Sequence, residues 1–134
     1  MADSTRVPLN LRPKVIEKPW GHEEIFEVNP NYVVKKLFVN AGHRLSMQYH
    51  EVKHETLIAL EGRVWLRLGE PGKKESRIVS AIQLHPGHVE VIEACTVHQI
   101  EARTDSIILE CSTPELKDVV RLKDDYGRAN LENK

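Results

Sequence analysis

Turn-forming residues cut this chain at short, regular intervals. Asn29-Pro30-Asn31, Ala41-Gly42, Glu61-Gly62, Gly69-Glu70-Pro71-Gly72, Pro86-Gly87 and Thr104-Asp105 separate apolar segments too short for ordinary helices. No long segment repeats its apolar residues with the 3.6-residue period of an amphipathic helix. The spacing predicts strands over 23–28, 32–40, 45–50, 55–61, 63–68, 77–84, 89–92, 98–102 and 106–112. Such a series favours an antiparallel sandwich or barrel. One helical turn is expected over 114–119, with Thr113 as its cap and Pro114 in first position. No internal repeat, low-complexity segment or linker interrupts the 134 residues, so one domain with one core is expected.

Several faces can be assigned by alternation. Val64, Leu66 and Leu68 alternate with Arg63, Trp65 and Arg67, which turns the aliphatic set to the core. The segment 56–60 is apolar on both faces and should be covered on both sides. Over 33–39, Val33, Leu37 and Val39 share a face with Lys35, while Tyr32, Val34 and Phe38 form an equally apolar alternative. If the first set points inward, Lys35 enters the interior, where an ammonium needs a partner or a substrate.

The segment Ser46-Met47-Gln48-Tyr49-His50 places Ser46, Gln48 and His50 on one strand face. Glu55 follows shortly, and His98 stands after Pro86-Gly87. Gln48, His50, Glu55 and His98 offer two imidazoles, a carboxylate and an amide oxygen, a set that suits a divalent metal with positions left open. The same stripe also fits the solvent face of a strand. His54 is an alternative to Gln48, but as a neighbour of Glu55 it should point to the opposite face. His22, His43, His85 and His88 lie near glycine or proline and read as loop residues. Cys95 and Cys111 read as small buried apolar groups.

Formal net charge is −1, which argues against a broad nucleic-acid surface. The two cysteines form no disulfide framework, the first eleven residues lack the apolar run of a signal peptide, and no segment approaches a membrane span. A reduced, cytoplasmic setting is the simpler expectation. Trp65, outward between two arginines, predicts a homodimer interface or a surface tryptophan shielded by the N-terminal segment.

Gly42-x5-Gln48-x-His50-x4-Glu55-x6-Gly62 resembles the first cupin motif with glutamine in place of its first histidine, and Pro86-Gly87 followed by His98 resembles the second. Three further stretches are similar to the small cupins related to type II mannose-6-phosphate isomerase, a family that also forms the C-terminal domain of bifunctional isomerase/guanylyltransferases. They are Glu17-Lys18-Pro19-Trp20-Gly21, Gly42-His43-Arg44-Leu45-Ser46-Met47-Gln48-Tyr49-His50 and Asp118-Val119-Val120-Arg121-Leu122-Lys123-Asp124-Asp125-Tyr126-Gly127-Arg128.

That resemblance implies an all-β cupin jelly-roll barrel over 14–128, with an N-terminal arm over 1–13 and a tail over 129–134. It implies a divalent metal on Gln48, His50, Glu55 and His98. Zinc is the first choice, and manganese, iron, cobalt and nickel are compatible with such mixed ligands. It also implies isomerisation of a small sugar phosphate, mannose 6-phosphate to fructose 6-phosphate. Arg121, Arg128, Lys35 and His54 are the candidates for catalytic contact, and Arg44, Ser46, Lys53 and Tyr126 for substrate binding. For Arg121, Arg128 and Tyr126, pinning the C-terminal arm is the competing role. The chain departs from the family pattern at Glu93 and Cys95, where proline and glycine are usual, and at Lys53, where arginine is usual. Without a nucleotidyltransferase domain or a Gly-rich phosphate loop, guanylyltransferase activity is not expected. A sugar-phosphate binder without turnover and a metal cupin of other chemistry, such as an oxygenase, are the alternatives.

Overall fold

The computed structural model describes residues 13–129. The expected arm and tail lie outside the described residues but for their innermost positions. Among the described residues there are eleven strands: β1 (Lys14–Lys18), β2 (Gly21–Val28), β3 (Val33–Val39), β4 (Met47–Tyr49), β5 (Glu55–Glu61), β6 (Val64–Leu68), β7 (Ser80–Leu84), β8 (Val89–Ile92), β9 (His98–Ala102), β10 (Ser106–Ser112) and β11 (Val120–Lys123). They form a six-stranded sheet, β1-β2-β3-β10-β5-β8, facing a five-stranded sheet, β11-β4-β9-β6-β7. All pairs are antiparallel. This is the jelly roll that the resemblance implies, and it fits the antiparallel sandwich or barrel expected from the short strands.

Along the long strands the inward face grades from polar to apolar. On β5 the inward residues run Glu55, Leu57, Ala59; on β9 they run His98, Ile100, Ala102; on β10 Glu110 precedes the apolar Ile108 when read back along the chain. The apolar ends meet in a cluster that includes Leu37, Val39, Leu57, Leu66, Leu84, Ile92 and Ile108. Leu57, Leu66 and Ile108 are 0% exposed, and burial of each is worth about 1.5–3 kcal/mol. The apolar end supplies stability, and the opposite end is left to chemistry.

The inward set of β3 is Val33, Leu37 and Val39, so Lys35 does point into the barrel. Val64 and Leu66 face the core as expected, and Trp65 lies on the other face beneath the Arg103 guanidinium, 5.8 Å from the ring centre.

The expected helical turn over 114–119 is absent. The Leu116 amide bonds to Pro114 O at 2.8 Å, and no helical ladder follows. A tertiary tie prevails: the Asp118 carboxylate accepts the backbone N–H groups of Glu51, Val52 and Lys53 at 2.9, 2.7 and 2.9 Å. The segment is thus stretched over the 51–53 loop. The expected strand over 77–84 starts only at Ser80, and that over 45–50 shrinks to Met47–Tyr49. Strands β1 and β11 were not expected.

The turn between β1 and β2 is fixed from below. Trp20 is 2% exposed in the core cluster, and its carbonyl accepts the Asn40 amide at 2.9 Å. Gly21 has φ +151°, and a Cβ there would sit 1.9 Å from Phe38 O. Only glycine fits that approach.

Candidate metal centre

Three side chains converge where the inward faces become polar. His50 follows β4 directly, Glu55 opens β5 and His98 opens β9. They are 5%, 3% and 2% exposed, and one ligand atom of each lies within 4.8 Å of the others. Glu55 Oε1 is 3.1 Å from His98 Nε2, and Oε2 is 3.8 Å from His50 Nε2. The imidazole centres are 5.4 Å apart.

The far side of each ring is anchored. His98 Nδ1 donates to Thr96 O at 2.9 Å, and His50 Nδ1 donates to Asp118 O. A proton on Nδ1 leaves the Nε2 lone pair of each ring directed at Glu55. This is how protein metal ligands are commonly oriented. His98 Nε2 is buried and, despite its closeness to Glu55, makes no hydrogen bond of normal geometry. These residues therefore fit a divalent cation. Gln48 pairs across strands with His98 and lies beside His50, its Nε2 3.5 Å from His50 Nε2. Its Oε1 accepts the Ser46 hydroxyl at 2.6 Å. Ser46 can equally accept from the amide N–H, and the reversed amide would turn its oxygen toward the His50 nitrogen.

Burial pushes the His50 pKa down more than Glu55 raises it, which favours the neutral, ligating ring. Burial would also lower His98, but the Glu55 carboxylate outweighs it and the shift is upward. Glu55 is held well below the usual carboxylate range: burial opposes ionisation, and His98, Lys53 and His50 overcome it.

A string of alternating charges runs from this cluster across the six-stranded sheet. Lys53 Nζ lies 3.2 Å from Glu55 and 3.0 Å from Glu110; Lys35 Nζ lies 3.7 Å from Glu110 and 3.1 Å from Glu23. Glu110 and Lys35 are direct cross-strand partners, which sets the centre of the string. Burial alone would lower the Lys53 pKa, but Glu110 and Glu55 raise it. Glu23 and Glu110 went unrecognised in the sequence, where a single inward carboxylate on a strand is indistinguishable from an outward one.

The string forms part of the wall of a cavity of about 250 Å³. Ser46, Gln48 and His50 line it on one side, and Lys35, Lys53, Glu23 and Glu110 on another. Arg121 and Arg128 approach from the C-terminal segment, and Lys18 and Trp20 from the first turn. Arg128 is held by Asp124 through Nε and Nη2, both at 2.9 Å. A larger depression of about 640 Å³ lies under the 70–79 loop, among exposed residues such as Lys73, Lys74 and Glu75. It touches none of the buried charges, so the smaller cavity is the candidate site.

Three sequence candidates stand outside that cavity. His54 is exposed, with its backbone tied to Thr113. Arg44 grips Asp125 with two bonds of 2.6 and 2.8 Å. Tyr126 packs on the core cluster and parallel to His43, with ring centres 6.4 Å apart. Arg44 thus ties to Asp125, and Arg128 to Asp124, within the C-terminal segment. Cys95, where a glycine is usual, has φ +63°, and its amide bonds to His50 O at 2.6 Å. Among the described residues it is the non-glycine with positive φ.

Comparison with known proteins follows from this geometry. The family model described as mannose-6-phosphate isomerase C-terminal matches residues 9–124. The mannose-1-phosphate guanylyltransferase ManC of Salmonella typhimurium is 30% identical over 122 residues, 84% of this chain but 23% of that protein. The capsular polysaccharide assembling protein CapF from Staphylococcus aureus superposes with TM-score 0.72 at 17% identity, over 87% of this chain and 33% of that one. An RmlC-like cupin from Shewanella frigidimarina superposes with TM-score 0.65 at 14% identity, over 79% of this chain and 87% of that one. At such identities the superpositions speak for the cupin fold alone.

Proposed function

The chain belongs to the family of mannose-6-phosphate isomerase C-terminal domains, and we propose that it is a metal-dependent sugar-phosphate isomerase acting on mannose 6-phosphate and fructose 6-phosphate. The observation that supports this reading is the buried His50–Glu55–His98 cluster, with both Nδ1 atoms anchored, whose His50 lines a cavity rich in cations.

His50 and His98 would hold the metal through Nε2, Glu55 through its carboxylate and Gln48 through its amide oxygen. Zinc is the first choice. The ion would polarise the substrate carbonyl and stabilise the charge that develops as a proton moves between C1 and C2. Lys53 holds the Glu55 carboxylate in place from 3.2 Å. The cationic wall gives a phosphate monoester a favourable environment. That wall also weighs against an oxygenase, whose substrate pocket would be apolar. Cys95 and Cys111 are free thiols, which suits a cytoplasmic setting. No helix among the described residues is long and apolar enough to cross a membrane.

One observation favours a binder without turnover. Both cavity-wall carboxylates outside the metal cluster, Glu23 and Glu110, are already paired with lysines, so neither is a ready base. The deciding experiment is hydrogen exchange at C2 of hexose 6-phosphates in deuterated water, followed by NMR. Metal-loaded protein should exchange and isomerise, and His50→Ala should lose both. Binding without exchange would decide for the binder.

A further inference from the structure

The stretch Glu17-Lys18-Pro19-Trp20-Gly21 plays no part in the metal cluster, yet it delivers a charge to the same cavity. Lys18 ends β1 and lines the cavity wall, half-buried. The other cations of that wall are committed. Lys35 is held by Glu23, Lys53 by Glu110 and Glu55, and Arg128 by Asp124. Arg121 also has an interaction of its own. The Lys18 ammonium has no ion pair or hydrogen bond among the described residues.

A paired ammonium is a poor anchor for a dianion, because the carboxylate beside it repels the newcomer and must be displaced. An unpaired one meets no such opposition. The backbone that carries Lys18 is also held rigidly: Trp20 is sunk in the core and Gly21 is pressed against Phe38. Anchoring on a fixed turn lowers the ordering cost of binding. Strand β1 lies four places along the six-stranded sheet from β5, which bears Glu55. Lys18 and His50 nevertheless line the same cavity, so a ligand in it can meet Lys18 with a charged end and the metal cluster, through His50, with its reacting carbons.

We infer that Lys18 is the anchor for the anionic end of the substrate, a terminal phosphate monoester remote from the carbons held at the metal cluster. This rests on the isomerase reading for its substrate class, but the anchor itself concerns binding. It displaces Lys35 and Lys53 from that role and gives them the task of holding Glu110 and Glu55. A lysine supplies a point charge rather than a two-pronged fork, so arginine should substitute for it with little loss.

The test is calorimetric titration of the full, metal-loaded protein with inorganic phosphate and with mannose 6-phosphate. Lys18→Ala should weaken both by about tenfold or more, the usual scale for a lost charge-assisted contact, with metal content unchanged. Lys18→Arg should restore most of the affinity. Lys18→Met, which keeps the stem on this edge strand, serves if the alanine variant folds poorly. Affinities within twofold of wild type, in a wild type that isomerises, overturn the anchor and leave the isomerase reading intact. Lys18-dependent binding without C2 exchange upholds the anchor and overturns the isomerase. A wild type that binds neither probe overturns both.

Discussion

Replacing Glu110 with leucine removes a carboxylate shared by two buried ammonium groups. Lys53 Nζ stands 3.0 Å from it and Lys35 Nζ 3.7 Å, and the side chains of Glu110 and Lys53 are each 7% exposed. Breaking a buried pair by deleting one partner costs about 3–5 kcal/mol, because the survivor keeps its desolvation penalty. Here each lysine retains a second partner, Glu55 at 3.2 Å and Glu23 at 3.1 Å. The cost should therefore lie near the lower end, about 3 kcal/mol. With a urea slope of about 1.5–2 kcal/mol/M, the unfolding midpoint falls by about 1.5–2 M. The assay is urea titration by tryptophan fluorescence on chelator-treated protein, so that lost metal affinity does not add to the loss. Adding Lys53→Met removes the stranded charge, and the double variant should be more stable than the sum of the singles by at least about 1.5 kcal/mol. A Glu110→Leu cost below about 1 kcal/mol, or an additive double variant, would refute the shared-carboxylate argument.

Cys95→Gly should stabilise the protein. A left-handed backbone costs a non-glycine residue about 1–2 kcal/mol, and the entropy of glycine returns part of that, for a net gain of about 0.5–1 kcal/mol visible as a higher Tm; a lower Tm would contradict it. Asp124→Asn should show a pH-dependent loss. Burial opposes ionisation of Asp124, but the Arg128 bonds prevail and its folded pKa is lowered, so its stabilisation is present above the unfolded value of about 3.9 and fades as pH falls through the folded value. Urea midpoints of variant and wild type should differ at pH 7, and the gap should narrow as pH falls below the unfolded value of about 3.9; a constant gap counts against the ion pair. For assembly we expect a homodimer, with a scattering mass about twice 15.4 kDa, and a mass near 15.4 kDa would rule it out. The Trp65 ring is already partly covered by Arg103, whereas Val89 and Val91 on β8 are each 56% exposed and offer a bare apolar edge.

Much of the fold is legible from period-two alternation and turn residues, as in β6, where Val64 and Leu66 alternate with Trp65 and Arg67 and the aliphatic face is the inward one. The strands that escaped are those with little to bury. In Lys14–Lys18 the two inward positions are Ile16 and Lys18, and the segment is a sheet edge, so no apolar stripe marks it. Val120–Lys123 is likewise half exposed. The helical turn failed for a different reason: proline and a threonine cap favour it locally, but three amides of a distant loop claim Asp118. At the site, His50, Glu55 and His98 were visible as strand-face residues with a familiar spacing. Glu23 and Glu110 were not, since their meaning comes from lysines that only the sheet pairing brings beside them. Lys35 shows the limit of alternation, where two apolar faces of equal strength left its direction undecided.

Asp118 ties His50 to the C-terminal segment: its carbonyl takes the His50 Nδ1 proton while its carboxylate gathers the loop just beyond. In time rather than space, this means the cluster matures late. During synthesis all three candidate ligands have been made once residue 98 is added, yet His50 has no carbonyl to set its tautomer until residue 118 arrives and docks. A truncated chain that ends after β10 but short of Asp118 should hold its metal loosely, although every strand that bears a candidate ligand is in place. The order in which the polypeptide emerges thus becomes the order in which its chemistry is switched on.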